Sequence, residues 1–268
     1  MIRKSIIGMC LSVMLFSCKE DTKKVETVKQ EKEKIETSAL HNYPDVFKKV
    51  LNAHGGLNAW KENRLLTFEI AKEGYSEKHS IDLKSRKDRV DAPGYSFGFD
   101  GENIWELNEK RLFKGDPIFF HNLYFYFYAM PFVLADDGIV YSETQDLEFN
   151  GVSFPGIKIN FNSGVGTSSK DNYYLHYNPE TYKMEWLGYT VTYRTGEVSE
   201  NVKWIHYNNW QTVNNVVLPK SISWYTYEGR NLIEPGHVLE FKNVVLNSNL
   251  IKEGYFKMPN NAQVVNKK

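Results

Sequence analysis

A chain of 268 residues with 33 basic and 33 acidic side chains carries no net formal charge, which argues against a nucleic-acid partner, since such proteins present a basic surface or stripe. The length suits one large domain or two small ones, and 17 Tyr and six Trp can fill a sizeable core. Only two cysteines occur, Cys10 and Cys18. That count excludes a cysteine-based metal site, and it leaves no intramolecular disulfide once Cys10 departs with a leader.

The N-terminus reads as a secretory leader. Arg3 and Lys4 form a positive start and Ser5 to Phe16 a short apolar run. A bilayer span takes about 20 apolar residues, so the run fits a cleavable signal better than a membrane helix. Leu15-Phe16-Ser17-Cys18 resembles the lipidation box of bacterial lipoproteins, with Phe16 bulkier than usual. The expectation is a signal peptide over 1–17, acylation of Cys18 and a charged tether over 18–39. One acyl chain, at about 0.8 kcal/mol per CH₂, holds a protein only marginally; several chains on Cys18, as lipoproteins carry, give a firm anchor. Lys19-Glu20-Asp21 resembles the surface-export signal of Bacteroidetes lipoproteins, although it is equally the start of a charged linker. The expected address is the outer membrane, the cell surface being preferred over the periplasmic face. Residues 22–36 hold too few apolar side chains to bury a face, and so read as extended chain.

Beyond Leu40 the pattern changes. Asn42 and Pro44 can open a helix over Asp45 to His54, with Val46, Phe47, Val50 and Leu51 on one face and Gly55-Gly56 ending it. The period then falls to two. Leu66, Phe68 and Ile70 alternate with polar neighbours, as do Ile81 and Leu83, then Ile157, Ile159 and Phe161, then Val202 and Trp204, then Ile222 and Trp224. Turns at Asp100-Gly101, Asp137-Gly138 and Thr195-Gly196 separate such runs. The reading is a mainly β chain with a few helices: roughly ten to twelve antiparallel strands, enough for a sheet to curl, in one domain over 40–268. Pro117 to Ala135, PIFFHNLYFYFYAMPFVLA, breaks the alternation. Two readings stand for it, a core helix plugging the concave side of the sheet and a movable lid over an apolar cavity.

Several stretches together resemble a known family. AHGGLNAW (Ala53 to Trp60), FDGENIWEL (Phe99 to Leu107), YNPETYKMEWLGY (Tyr177 to Tyr189), NNVVLPKSI (Asn214 to Ile222) and FKMPNNA (Phe256 to Ala262) are similar to a group of Bacteroidetes lipoproteins whose domain has no assigned function. In order and spacing the chain resembles, more distantly, the LolA/LolB-type outer-membrane lipoprotein-sorting proteins. That resemblance implies a strongly curved antiparallel sheet, an incomplete β-barrel, with helices across its concave side and an apolar interior that takes acyl chains such as palmitate. No site residue carries over by motif.

Motifs for chemistry are sparse. The sequence has no GxSxG, HExxH, CxxC or phosphate loop; Gly164-Val165-Gly166 has the wrong spacing for one. Asp100 to Asn103 reads as a turn, lacking the further ligands of a calcium loop. His176 and His206 lie on expected strands and could meet, but two histidines make half a zinc site. His54 reads as a helix C-terminal residue favoured by the dipole. No catalytic residue, metal or cofactor is therefore assigned.

The expected function is non-enzymatic binding of an apolar ligand, a lipid or acyl chain, in the concavity, with the membrane as partner through the lipid anchor. Trp105, Phe120, Tyr124, Phe127, Phe132 and Trp186 are the candidate lining residues. One alternative is a surface glycan-binding module stacking sugars on Trp186, Trp204, Trp210 and Trp224. Another is a hydrolase whose site has no recognised motif, which would require convergent carboxylates or histidines in a cleft.

Overall fold

The computed structural model describes residues 43–162, 170–193, 195–249 and 252–266. The expected signal peptide, Cys18, the tether, Asn42 and the glycine pair at 164 and 166 lie outside the described residues. The chain divides between Asn42 and Tyr43, and the second unit, Tyr43–Lys268, holds every element named below.

Helix α1 (Asp45–Ala53) buries Phe47, Val50 and Leu51 completely. Pro44 stands at its N-cap with φ −55° and ψ 143°, just outside the first turn in which the sequence reading put it, because its extended ψ belongs to the incoming chain. Gly55 ends the helix at φ +96°, the left-handed region open to glycine. A Cβ there would also strike the carbonyl oxygen of Asn215, so α1 ends pressed against a strand turn. Helix α2 (Leu57–Glu62) follows and buries Leu57 and Trp60.

Sixteen strands occur among the described residues. β1 (Leu65–Lys72), β2 (Tyr75–Asp82), β3 (Asp88–Ala92), β4 (Tyr95–Phe99) and β5 (Ile104–Leu107) come first. Next are β6 (Ile139–Glu143), β7 (Leu147–Phe149), β8 (Val152–Phe154), β9 (Gly156–Phe161), β10 (Tyr173–Tyr177) and β11 (Met184–Tyr189). β12 (Lys203–Val213), β13 (Val216–Glu228), β14 (Asn231–Glu240), β15 (Lys242–Asn247) and β16 (Gln263–Val264) complete the set. The count exceeds the ten to twelve expected because β7, β8 and β16 have three, three and two residues, too few to show an alternation, and because β14 and β15 are one continuous run interrupted only at Phe241.

Two seven-stranded antiparallel sheets result, in spatial order β15-β1-β2-β3-β4-β5-β16 and β14-β13-β12-β11-β10-β9-β6. Only Phe241 separates β14 from β15. Because β14 pairs with β13 and β15 with β1, one strand bent at Phe241 belongs to both sheets, and the Phe241 N–H donates to the Lys220 carbonyl at 2.9 Å. β6 and β16 each pair on one side only among the described residues, so the sheet is strongly curved and does not close into a barrel. The small β7–β8 hairpin lies apart from both ladders.

Alternation sorts the side chains by face. The inner face carries Leu66, Phe68 and Ile70 from β1 and Leu175, Leu187, Ile205 and Tyr207 from β10–β12, all buried. Register pairs Leu175 with Leu187 and Leu187 with Ile205. The outer face of the second sheet carries Trp186 and Trp204, packed with Leu147 and Phe154 of the β7–β8 hairpin and with Leu232.

Candidate ligand cavity

The apolar segment 117–135 forms broken turns across the inner face. Asp116 opens helix α3 (Pro117–Phe120): its Oδ1 accepts from the Ile118 N–H at 3.0 Å, and Pro117 takes the first helical position. Helix α4 (Leu123–Tyr128) follows, then a cis Met130–Pro131 bond and a 3₁₀ turn over Phe132–Ala135. The segment touches both sheets. Tyr128 packs on Phe68 of the first at 4.8 Å between ring centroids, and Tyr207 of the second donates to the Phe127 carbonyl at 2.9 Å. Tyr141 and Tyr43 likewise donate to the carbonyls of Leu134 and Ala135. The sequence reading of helices lying across the concave side holds, with two short helices and a 3₁₀ turn where one helix was expected.

The segment leaves a space against the second sheet. A cavity of about 480 Å³ opens between it and the inner face of β9–β13. Leu123, Phe127, Met130 and Leu134 wall it from the segment, and Phe161, Tyr173, Tyr189 and Trp224 from the strands. Its aromatic wall is tightly coupled. Phe127 meets Tyr189 at 5.3 Å and Trp224 at 5.6 Å, and the Trp224 Nε1–H donates to the Tyr189 hydroxyl at 2.9 Å. Burial pushes the Tyr189 phenol up to about 12, so the ring stays neutral and its O–H remains a donor. Polar groups are few: Asn122, Asp171, Thr190 and Lys203. A smaller recess of about 280 Å³ adjoins at Asp116, Phe119, Phe120 and Tyr193.

Of the six side chains named from the sequence, Tyr124 and Phe127 stand in the cavity wall. Phe120 faces the adjoining recess. Phe132 instead stacks on Trp60 at 4.8 Å within the core. Trp105, on the outer face of the first sheet, lies under the Arg89 guanidinium. Trp186 stacks on His206 at 4.0 Å on the outer face of the second sheet. The last two point away because their strand neighbours occupy the inner face, a parity that a count of aromatic residues does not carry. Phe161, Tyr189 and Trp224 were missed. Each continues an alternation readable in the sequence, two residues on from Ile159, Leu187 and Ile222.

Neither histidine expected to meet across the sheet touches the other: Trp186 on β11 is the register partner of both His176 and His206. His54 is not a charged helix-end residue. Its ring is buried, Nε2 accepts from the Met184 N–H at 3.0 Å, and Nδ1 lies 3.1 Å from the Val217 carbonyl, to which it donates. Burial holds it neutral, with its pKa pushed down to about 4 although the bond to the Val217 carbonyl pulls the other way.

Buried charges lie on the inner face of the first sheet. Glu77 accepts from the Tyr95 hydroxyl at 2.6 Å and pairs with Lys72 at 3.0 Å. Burial alone would raise its pKa, but His79, Tyr95 and the Lys72 ammonium outweigh it and hold the carboxyl at about 2. His121, at the end of α3, pairs with Asp88 on β3 at 2.7 Å, both buried. Glu77, His79, Asp88 and His121 line neither cavity, and it is the His121–Asp88 pairing that ties the segment to the sheet. Among the described residues no three metal-ligating side chains converge, and no helix is long and apolar enough to cross a membrane.

Among solved structures, the chain is similar to a LolA superfamily protein from Nitrosomonas europaea, at 8% identity and a TM-score of 0.47, over 78% of this chain and 96% of that one. It is similar also to a DUF1329 family protein from Desulfovibrio piger, at 12% identity and 0.44, over 78% and 97%. A third is a Vibrio parahaemolyticus domain named for outer-membrane lipoprotein sorting, at 10% identity and 0.41, over 77% and 97%. No curated protein matches. Residues 102–239, which run from β5 through most of β14 and include every wall of the cavity, match a family of unknown function, DUF6503, and the chain belongs to that family.

Proposed function

We propose that the protein is a non-enzymatic binder of an apolar or amphipathic ligand, a lipid or acyl chain, held at the outer membrane by acyl chains on Cys18. The observation that carries the reading is the unfilled 480 Å³ between segment 117–135 and the second sheet. That volume is in the range of small-molecule sites, and so is the character of the wall, mostly apolar and aromatic with a few polar groups. A water-filled space lined by Leu123, Met130 and Leu134 is unfavourable, and covering that surface stabilises the complex by about 25 cal/mol per Å². Segment 117–135 is at once plug and wall of this space.

Purification from membranes followed by lipid extraction and mass spectrometry tests the reading: a stoichiometric lipid is expected from the protein and none from Val191→Trp, which fills the cavity. A protein that carries no lipid and displaces no apolar dye would overturn it. Anchoring is tested separately, by metabolic labelling with a palmitate analogue that Cys18→Ser should abolish. Protease digestion of intact cells then distinguishes the cell surface from the periplasmic face.

The glycan reading draws no support from the side chains it named. Trp186 and Trp204 are wholly buried and cannot stack on a sugar, Trp210 packs against His54 and Tyr207, and Trp224 is half-buried in the cavity wall.

A further inference from the structure

Asp171 is out of character with the wall that contains it. The cavity is bounded mainly by apolar and aromatic side chains, yet this carboxylate stands among them with 6% of its surface exposed. Its position is fixed by an extension of the β10–β11 ladder. The Asn172 N–H donates to Thr190 Oγ1 at 2.8 Å, and the Thr190 N–H returns to the Asn172 carbonyl at 3.0 Å. Asp171 Oδ1 accepts from the Thr192 N–H at 2.7 Å. Burial pushes its carboxyl above the usual carboxylate range, and only Thr192 opposes the rise.

Among the described residues no cation pairs with Asp171. Its neighbour Lys170 directs its ammonium to the Gly196 carbonyl at 2.6 Å. Lys203, the cation in the wall, is exposed, where solvent screens it. A second acid, Asp116, stands at the adjoining recess beside Lys114 and accepts from the Tyr193 hydroxyl at 2.8 Å. A buried carboxylate without a counter-ion is costly, and a cation brought next to it recovers much of that cost. The neighbouring rings add a second attraction of the same sign. Tyr173, at 6.5 Å from Tyr189 and nearly parallel to it, lines the cavity together with Phe127 and Trp224, and aromatic rings draw cations to their faces.

Resting on the reading of the cavity as a ligand site, we propose that its occupant is an amphiphile with a cationic head, an ammonium on an apolar body, and that Asp171 is the group that reads the head. An anionic head would place like charges together in a poorly solvated wall, and a neutral hydroxyl could accept or donate a hydrogen bond without cancelling the charge. The preference is therefore amine over alcohol over carboxylate.

Three probes of equal chain length separate the terms: dodecylamine, dodecanol and dodecanoate, each displacing the neutral dye N-phenyl-1-naphthylamine from the full protein near neutral pH. Dodecylamine should bind at least about tenfold tighter than dodecanoate, with dodecanol between. Asp171→Asn, which keeps an acceptor for the Thr192 N–H, should bring the three together and leave dodecanol nearly unchanged. Equal affinities in the unsubstituted protein, a preference for the carboxylate, or an amine preference that survives Asp171→Asn would overturn the proposal while leaving the cavity reading intact. If none of the three displaced the dye, the cavity reading would fall with it. Should Asp171→Asn not fold, the rank order in the unsubstituted protein still decides.

Discussion

The second sheet carries bulky aromatic side chains on both faces, and the two faces end differently. On the outer face Trp186 and Trp204 are wholly buried beneath Leu147 and Phe154 of the β7–β8 hairpin. On the inner face Tyr173, Tyr189 and Trp224 look onto 480 Å³ that segment 117–135 does not fill. The covering elements explain the difference. The hairpin covers its face with Leu147, Phe149 and Phe154, which pack directly on the tryptophans. The segment is broken into α3, α4 and a 3₁₀ turn, and is tied by its carbonyls to Tyr207 and Tyr141 and by His121 to Asp88. Aromatic richness therefore marks burial on both faces, and only the geometry of the cover decides whether what is buried is core or site.

The largest expected effect is on the sealed face. Trp186→Ala should cost about 3–5 kcal/mol of stability, seen as a fall in Tm of roughly 10 °C, because the packed face cannot collapse around the void. A loss no greater than that of a cavity-wall substitution would erase the distinction between the faces.

Next comes acid. His54 and His176 are buried on neutral rings, each with its pKa pushed down from 6.5 to about 4, mainly by burial. The unfolded chain takes up protons that the folded chain refuses, so stability is full above about pH 6.5 and falls as the pH drops towards 4. A shift of this size corresponds to about 3 kcal/mol at most for each ring. Chemical denaturation across that range measures the slope, and His54→Gln should flatten it; a flat profile in the unsubstituted protein would mean that these rings are solvated.

Smaller again is Gly188→Ala on the outer face, where a Cβ would approach the Trp204 ring at 2.8 Å. About 1–3 kcal/mol is expected from overpacking, and an unchanged Tm would show slack under the hairpin. Least costly is Phe161→Ala, half-buried in the cavity wall beside empty space, at about 1 kcal/mol or less. Its effect should appear in ligand capacity instead, as a shift towards bulkier bound lipids in mass spectrometry; an unaltered lipid profile would remove Phe161 from the site.

Much of the fold was legible from local pattern. The period-two runs at Leu66 to Ile70 and Ile157 to Phe161 became β1 and β9 with the expected faces, and of the expected helix flank Phe47, Val50 and Leu51 are buried while Val46 is half-buried. The candidate site was less legible. Tyr124 and Phe127 were found because they sit in a segment whose composition departs from its surroundings. Trp105 and Trp186 face outward because strand parity, which aromatic bulk does not reveal, turns them from the cavity, and Asp171, one acid before a strand, carries no local mark.

The amino-acid order alone determined that this chain builds curved antiparallel sheet with an apolar segment laid over it, because alternation, helical spacing and turn residues act over a few neighbours and need no distant partner. Which face holds the cavity, that one strand bent at Phe241 serves both sheets, and that Asp171 ends in an apolar wall were decided only by the tertiary structure. The physical reason is range: packing joins residues such as Phe127 and Trp224, nearly a hundred positions apart, and whether a cover fills the space beneath it depends on the shapes of both sides together.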